Sequence, residues 1–574
     1  MNFHRALGSG PLVSRLQPAL IAAAALVVAA ALATRLSSDQ IYMQSERYVA
    51  DLWMVMDAMW RTSLDQRANV DFVSPIGPLF YAMLAVPLEF QAPSPAVLLQ
   101  ANVLAGLLAL LLTLGITWRS LGPGLSALSA ALVFLIAVSG RDFGTSVAES
   151  SIGYLAPYNR WSWALAFPAA LGIFLPHRAR AYLPHILIGV ATALLFYLKL
   201  TFAAVLLGCV TANFLIEVVA GQDRPEALRK AFIAVAAFAA ALAAGALFFS
   251  LGGYLADVAL AAKAGPPQAR LGKAVMSAFE AALFLAAALL LYHLSGGLRR
   301  KADWPDVLRL ALLAASGAAL LVQNHDLTEA PLYFALPLLA FALGRRAAPA
   351  SPASPEDRRD AGGNSLPNHA FILMLIILAV PIANDLGGML FGRLHESRSP
   401  GAMIQAFQGT PLQQVRLSAV QDSDGVFSDS DVPASRCGHS NCVAAFRTAE
   451  GLRLLQRLNL ADRRVLPLAF SNPFSALTRT PSPRGALLWW HEGRSFSAGH
   501  APPGDSVFRE VDVVLVPKND GTAETLTRLY GDVLRRDYVQ AGESLNWIAL
   551  ARRQAGGRAE PSRKGPELEA AEQA

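Results

Sequence analysis

The sequence predicts a polytopic α-helical membrane protein of about eleven transmembrane helices followed by a C-terminal α/β soluble domain, on three observations. Hydrophobic residues make up 54% of the 574 residues and charged residues only 16%, with a mean hydropathy of +0.39. Apolar runs of about 17–22 residues recur through the first two thirds, the length that crosses roughly 30 Å of hydrocarbon at 1.5 Å per residue. Beyond residue 395 charge, Pro and Ser rise and no run is long enough to span. The chain therefore divides into a multi-span membrane domain over 1–392, an extracytoplasmic α/β domain over 393–554, and a polar tail over 555–574 whose composition predicts disorder.

Arg5 and Arg15 precede the first apolar run, 17–34, which reads as an uncleaved signal anchor with a cytoplasmic N-terminus. A long polar loop, 36–96, follows. Further spans are expected near 97–117, 124–140, 161–176, 183–198, 201–219, 231–250, 276–295, 307–323, 330–344 and 369–390. The net charge of +6 is spread over alternate loops rather than gathered in a stripe, so it encodes topology and excludes a nucleic-acid interface. Arg119, Arg178, Arg180, Arg224, Arg229, Lys230, Arg299, Arg300, Lys301, Arg345, Arg346, Arg358 and Arg359 fall on the cytoplasmic side, whereas 323–329 holds no Lys or Arg. This alternation requires that 75–90, broken by Pro75, Pro78 and Pro87, is not a span but a juxtamembrane or re-entrant helix at the outer surface. An odd number of spans then leaves the C-terminal domain outside, in the periplasm of a bacterial inner membrane.

On that side Cys437 and Cys442 can form a small-loop disulfide, with a metal site including His439 as the alternative; Cys209 lies in an apolar run. The stretch 347–368 reads as a flexible cytoplasmic linker. In the C-terminal domain 464–470, 511–517 and 547–551 have the pattern of buried strands, and 449–458 and 522–536 have helical spacing, which together predict a small mixed sheet.

The loop 36–96 concentrates acidic residues. Asp39 stands four residues beyond Arg35, where the first helix leaves the bilayer; partial desolvation there suits a general base, and capping of the next helix beside Ser37 or Ser38 is the structural alternative. Val49, Trp53, Met56 and Trp60 recur at helical spacing and predict an interfacial helix anchored at the headgroups by its two Trp residues.

The run Leu64-Asp65-Gln66-Arg67-Ala68-Asn69-Val70-Asp71-Phe72-Val73-Ser74-Pro75-Ile76-Gly77-Pro78-Leu79-Phe80-Tyr81 resembles the first external loop of the GT-C superfamily, the polyprenyl-phosphate-sugar-dependent membrane glycosyltransferases. The resemblance implies a long outer loop after the first span, with a carboxylate of that loop as the catalytic base: Asp39 first and Asp71 second. It further implies a lipid-linked sugar donor, a glycan or lipid acceptor, a basic residue near the outer face that holds the donor phosphate, and a second acidic residue for acceptor or metal. Lys199, in Tyr197-Leu198-Lys199-Leu200-Thr201, and Arg160 fit the phosphate role; Asp142, Glu149 and Asp326 fit the acidic one, with a divalent metal as a possible cofactor. An interfacial ion-pair cluster or a solvated loop explains the same acids, and a snorkelling side chain explains Lys199.

In the soluble domain Asp422-Ser423-Asp424 and Asp429-Ser430-Asp431 look like the metal-nucleotide motif of cytoplasmic transferases, but a solvated acidic loop is the better reading outside the membrane. Asn472-Pro473-Phe474 and Trp489-Trp490-His491-Glu492-Gly493-Arg494 mix aromatic and polar groups, as either a carbohydrate surface or an aromatic core does. The expected activity is an inverting glycosyl transfer from a polyprenyl-phosphate donor to an outer-face acceptor. The rival is a non-catalytic membrane subunit or transporter of lipid-linked glycans, which would line a path between spans with charge; the expected spans carry almost none.

Overall fold

Proline at the first or second helical position starts most of the membrane helices, where its missing N–H costs nothing and its fixed φ is already helical. The computed structural model describes residues 11–37, 41–43, 49–139, 157–175, 181–219, 224–265, 304–323, 379–391, 402–417, 426–427 and 440–553, with scattered single helical positions between 272 and 286 and at 376 and 394. In chain order the helices are α1 (Pro11–Leu36), α2 (Val49–Ser63), α3 (Pro78–Leu88), α4 (Pro95–Leu121), α5 (Pro123–Val138), α6 (Pro157–Phe174), α7 (Leu183–Leu198), α8 (Leu200–Val219), α9 (Arg224–Ala246), α10 (Leu251–Ala264) and α11 (Trp304–Gln323). Among the described residues Arg15–Leu36, Pro95–Leu121, Leu200–Val219 and Arg224–Ala246 are long and apolar enough to cross a membrane. The span expected near 330–344 and the tail 555–574 lie outside the described residues, and of the span expected near 276–295 only scattered helical positions are described.

α4 is the hub: it packs on α5, α6, α7 and α3, while α1 lies against α5, and α7 against α9. Trp161, Trp163, Phe80, Phe134, Phe167 and Phe202 are among the largest fully enclosed side chains, and they centre the core on α3, α5, α6 and α8. The chain is a polytopic helical membrane protein with a small C-terminal α/β unit.

That unit begins with α12 (Ser440–Arg457) and carries β5 (Val465–Pro467), α13 (Phe474–Thr478), α14 (Gly504–Val507), β6 (Val513–Pro517), α15 (Gly521–Asp537), β7 (Tyr538–Glu543) and β8 (Trp547–Arg552). The sheet order is β5-β6-β8-β7, with β5 and β6 parallel and the other two pairs antiparallel, so the sheet is mixed. A second sheet, unforeseen from sequence, orders β1-β3-β2-β4: β1 (Ile41–Met43) from the first loop runs parallel to β3 (Val415–Leu417), which β2 (Ala402–Ile404) joins to β4 (Val426–Phe427).

Two sequence expectations are corrected, and one left open is decided. α2 forms where the spacing places a helix but is not interfacial: Leu52, Val55, Met56, Asp57, Ala58, Met59 and Arg61 are all fully enclosed, so apolar and charged faces alike are covered. The C-terminal unit supplies the second cover. Trp60 Nε1 donates to Thr480 O at 2.7 Å, and Trp53 meets Phe407 edge to face, so neither Trp is a headgroup anchor. α3, with 11 residues, is too short to span; it is nevertheless not a surface helix, because Phe80 and Leu84 are fully buried against α2, α4 and α7. The aromatics of 474–496 make core. Trp490 stands edge to face with Phe496 and Tyr530, and Phe474 with Trp547.

Candidate functional site

The first loop turns back on itself at Asn69, whose φ of +63° is a left-handed conformation that Asn tolerates better than most residues. The turn brings Asn69 N–H to Phe72 O at 3.0 Å and Asn69 Nδ2 to Ser74 O at 2.6 Å. Ser74 Oγ shares a hydrogen bond with Tyr81 Oη at 2.6 Å and receives the N–H of Ile76 at 3.2 Å. Tyr81 stacks edge to face on Phe72 and on Phe80. The run from Leu64 to Tyr81 is thus one folded unit.

Two close approaches seat this unit on the membrane helices. Gly77 N–H donates to Leu198 O at 3.1 Å, and a Cβ on Gly77 would stand 2.0 Å from Tyr197 O. A Cβ on Gly253 of α10 would stand 2.0 Å from Asn69 O. Only glycine permits backbones this near.

The turn between α7 and α8 is Lys199. Its Nζ donates to Asn159 Oδ1 at 2.5 Å and lies over the rings of Phe202 (5.1 Å) and Tyr158 (5.6 Å), two cation–π contacts on a half-buried ammonium. The next residue, Leu200, gives its N–H to Tyr254 Oη at 3.1 Å. Tyr158 also meets Phe80 edge to face, and Trp161, one turn further along α6, donates to Asn102 Oδ1 at 2.9 Å. α3, α6, the α7–α8 turn, α10 and the first loop therefore converge on one place.

One turn beyond Tyr254 on α10 is Asp257. Its Oδ2 accepts from Asn69 Nδ2 at 2.7 Å and from Ser74 N at 2.9 Å. α10 is outside the spans, and partial burial there pushes the Asp257 carboxyl up to about 6, against the lowering effect of the two hydrogen bonds. Sequence reasoning missed this residue. The only signal was one acid in the otherwise apolar stretch Leu251–Ala262, with no partner acid in reach of sequence inspection.

The expected site residues fare unequally. Lys199 stands in the convergence. Asp71 has its Oδ2 on Arg67 N at 2.7 Å, its Oδ1 3.4 Å from Arg484 Nε, and its carbonyl on Gly485 N at 2.7 Å, so it ties the first loop to the C-terminal unit. Arg160 is buried, and its Nη1 donates to Ser139 O; Arg35 Nε reaches Val138 O at 3.0 Å. The two guanidinium groups thereby cap the C-terminal carbonyls of α5, where a helix end attracts cations. Asp39, Asp142, Glu149 and Asp326 lie outside the described residues, as do Cys437, His439 and the acidic pairs 422–424 and 429–431; of Cys442 only its place in α12 is described. Among the described residues no three His, Cys, Asp or Glu side chains gather as a metal site.

No protein-family model matches the chain, and no curated protein does. Among solved structures it is similar to the crystal structure of ArnT from Cupriavidus metallidurans bound to undecaprenyl phosphate, at 10% identity and a TM-score of 0.38 over 93% of this chain and 99% of that one. It is similar also to ArnT from the same organism in the apo state, at 10% identity and a TM-score of 0.37 over 94% of this chain and 98% of that one. Both are likenesses of overall architecture at low score, and the functional reading that follows rests on the residues of this chain.

Proposed function

We propose that the chain is a membrane glycosyltransferase that moves a sugar, with inversion, from a polyprenyl-phosphate donor to a glycan or lipid acceptor at the outer face of a bacterial inner membrane. The observation that carries the reading is Lys199. An ammonium held by Asn159 and two aromatic rings, at a turn between apolar helices and against a folded polar loop, suits the phosphate of a lipid whose chain lies along the helices. In the reaction an acceptor oxygen attacks the anomeric carbon, the bond from that carbon to the phosphate oxygen breaks, and a carboxylate takes the hydroxyl proton. Lys199 balances the charge on the departing polyprenyl phosphate, which lowers the barrier only if the ammonium is in place before the bond breaks.

The first-loop carboxylates Asp39 and Asp71 are the base candidates that the resemblance supplies. Arg160 is the second candidate for the phosphate, and Asp142, Glu149 and Asp326 are candidates for binding acceptor hydroxyls or a divalent metal. This reading puts the N-terminus in the cytoplasm and the C-terminal unit in the periplasm.

The test uses the full chain in nanodiscs for undecaprenyl phosphate binding by native mass spectrometry. Membranes from cells expressing it are followed for consumption of the mild-acid-labile polyprenyl-phosphate sugar pool. The wild type is expected to bind the lipid and consume the pool, and Lys199→Met to weaken binding about tenfold, the equivalent of 1.4 kcal/mol. A folded wild type that neither binds the lipid nor depletes the pool refutes the proposal and favours a non-catalytic subunit.

A further inference from the structure

We infer that Asp257 of α10, rather than a carboxylate of the first loop, takes the acceptor's hydroxyl proton; this rests on the transfer reaction proposed above and goes beyond it by relocating the base. The geometry is a closed circuit. Asp257 holds Ser74; three residues on, Gly77 holds Leu198; Lys199 follows, then Leu200, which holds Tyr254; and Tyr254 returns to Asp257 over one turn of α10, about 4.5 Å along the axis. The carboxylate and the residue proposed for the donor phosphate thus belong to the same ring of contacts.

The carboxylate is oriented by one oxygen alone. Both of its hydrogen bonds fall on Oδ2, from Asn69 Nδ2 and Ser74 N. Among the described residues none bonds Oδ1, and Asp257 is only half-buried, so Oδ1 is open to a hydroxyl. Asp71 differs: each oxygen has a partner, one in Arg67 N and the other in Arg484. Removing the proton from Asp257 leaves a carboxylate basic enough to accept another near neutral pH, where a general base works best. Among the described residues the charged and titratable groups around it are few. On α3 there is Tyr81, with Arg61 of α2 behind it; on the first loop Arg67 and Asp71; and on its own helix Tyr254 and Lys263.

In the step so assigned, the acceptor O–H bond breaks as its oxygen bonds the anomeric carbon. The proton passes to Asp257 Oδ1, and the electron pair of the breaking carbon–oxygen bond leaves with the polyprenyl phosphate. No further reactant is needed.

Asp257→Asn separates this role from loop anchoring, because the amide oxygen still accepts from Asn69 and Ser74 while the base is gone. In the two assays above, Asp257→Asn is expected to bind undecaprenyl phosphate within about twofold of wild type. Its rate of pool consumption should fall about 100-fold or more. Wild-type consumption should rise with pH up to about 6 and level off above it. Asp257→Glu, which keeps a carboxylate, covers the case in which the Asn variant does not fold: it is expected to retain activity with a displaced pH midpoint. Loss of less than tenfold in Asp257→Asn, or a flat wild-type profile from pH 5 to 7, overturns the inference and leaves the transfer reaction standing, as does an Asp39→Asn or Asp71→Asn variant that alone abolishes consumption. A wild type that binds no lipid and consumes no donor instead brings down the reaction itself.

Discussion

Asp57 and Arg61, one turn apart on α2, form an ion pair of 2.9 Å with both side chains almost wholly enclosed. Both carboxylate oxygens and two of the three guanidinium nitrogens are hydrogen-bonded. Asp57 Oδ1 accepts from Ser482 Oγ at 2.7 Å; Arg61 Nη1 reaches Gln66 Oε1 at 3.0 Å and Pro483 O at 2.9 Å, and the guanidinium lies 5.0 Å over the Phe72 ring. Gln66 Nε2 completes the set on Ser482 O at 2.7 Å. The pair joins α2, the first loop and the C-terminal unit. Arg61→Ala is expected to cost about 3–5 kcal/mol, because it leaves Asp57 charged and buried. Asp57→Leu with Arg61→Met, which removes both charges and keeps the volume, should lose far less. Thermal melts of the detergent-solubilised chain check both.

The Asp257 carboxyl ties stability to pH. Its folded value of about 6 lies above the ordinary 3.8, so the folded chain binds this proton more tightly than the unfolded chain does. The contribution is complete below pH ~4 and lost as pH rises through about 6; two units correspond to about 3 kcal/mol at most. Wild type should therefore melt higher at pH 5 than at pH 7 relative to Asp257→Asn measured at the same two values. An unchanged gap between the two proteins would contradict the assigned environment.

Gly77→Ala and Gly253→Ala should each loosen the seat of the first loop on the membrane helices without touching a charged group. A methyl 2.0 Å from Tyr197 O or from Asn69 O forces backbone apart. The expected loss is about 1–3 kcal/mol each. Limited proteolysis of the solubilised chain should then cut more readily within 64–77, whereas Gly252→Ala, which meets nothing within 4 Å, serves as the control.

Arg160 has two assignments that a single variant separates. If its main work is at Ser139 O, Arg160→Gln lowers stability by about 1.5–3 kcal/mol, the range for a hydrogen bond to a charged group. Undecaprenyl phosphate affinity should then change less than in Lys199→Met. A tenfold weaker affinity with unchanged melting would instead place its charge at the lipid phosphate.

The hydropathy runs made the membrane helices legible, since crossing length is a local property of the chain. The buried strands 465–467 and 513–517 were legible for the same reason, each being a short apolar run between turns. α2 was misread because its period identifies a helix but not what covers it. Trp53 and Trp60 look alike whether the second face meets headgroups or Phe407 and Thr480. β7 escaped because Val539 to Glu543 is half polar, an edge strand with no alternating apolar signal. Lys199 stood out as a lone charge at a span boundary. Asp257 did not, because its meaning comes from Asn69 and Ser74, more than 180 positions away.

The stitching of the first loop to the C-terminal unit sets an order of events during synthesis. Val73 pairs with Leu487, Ile41 with Val415, and Arg61 with Pro483 across 422 positions. At translation rates of about 5–20 residues per second, α2 waits roughly 20–80 s for the segment that covers it. Until then Asp57 and Arg61 stand without Ser482 and Pro483, next to the membrane helices. A ribosome-stalled or truncated chain ending before residue 480 should therefore insert its early spans yet leave 49–77 open to protease. Full length would close it, so that burial of α2 and the first loop reports that the last domain has been made.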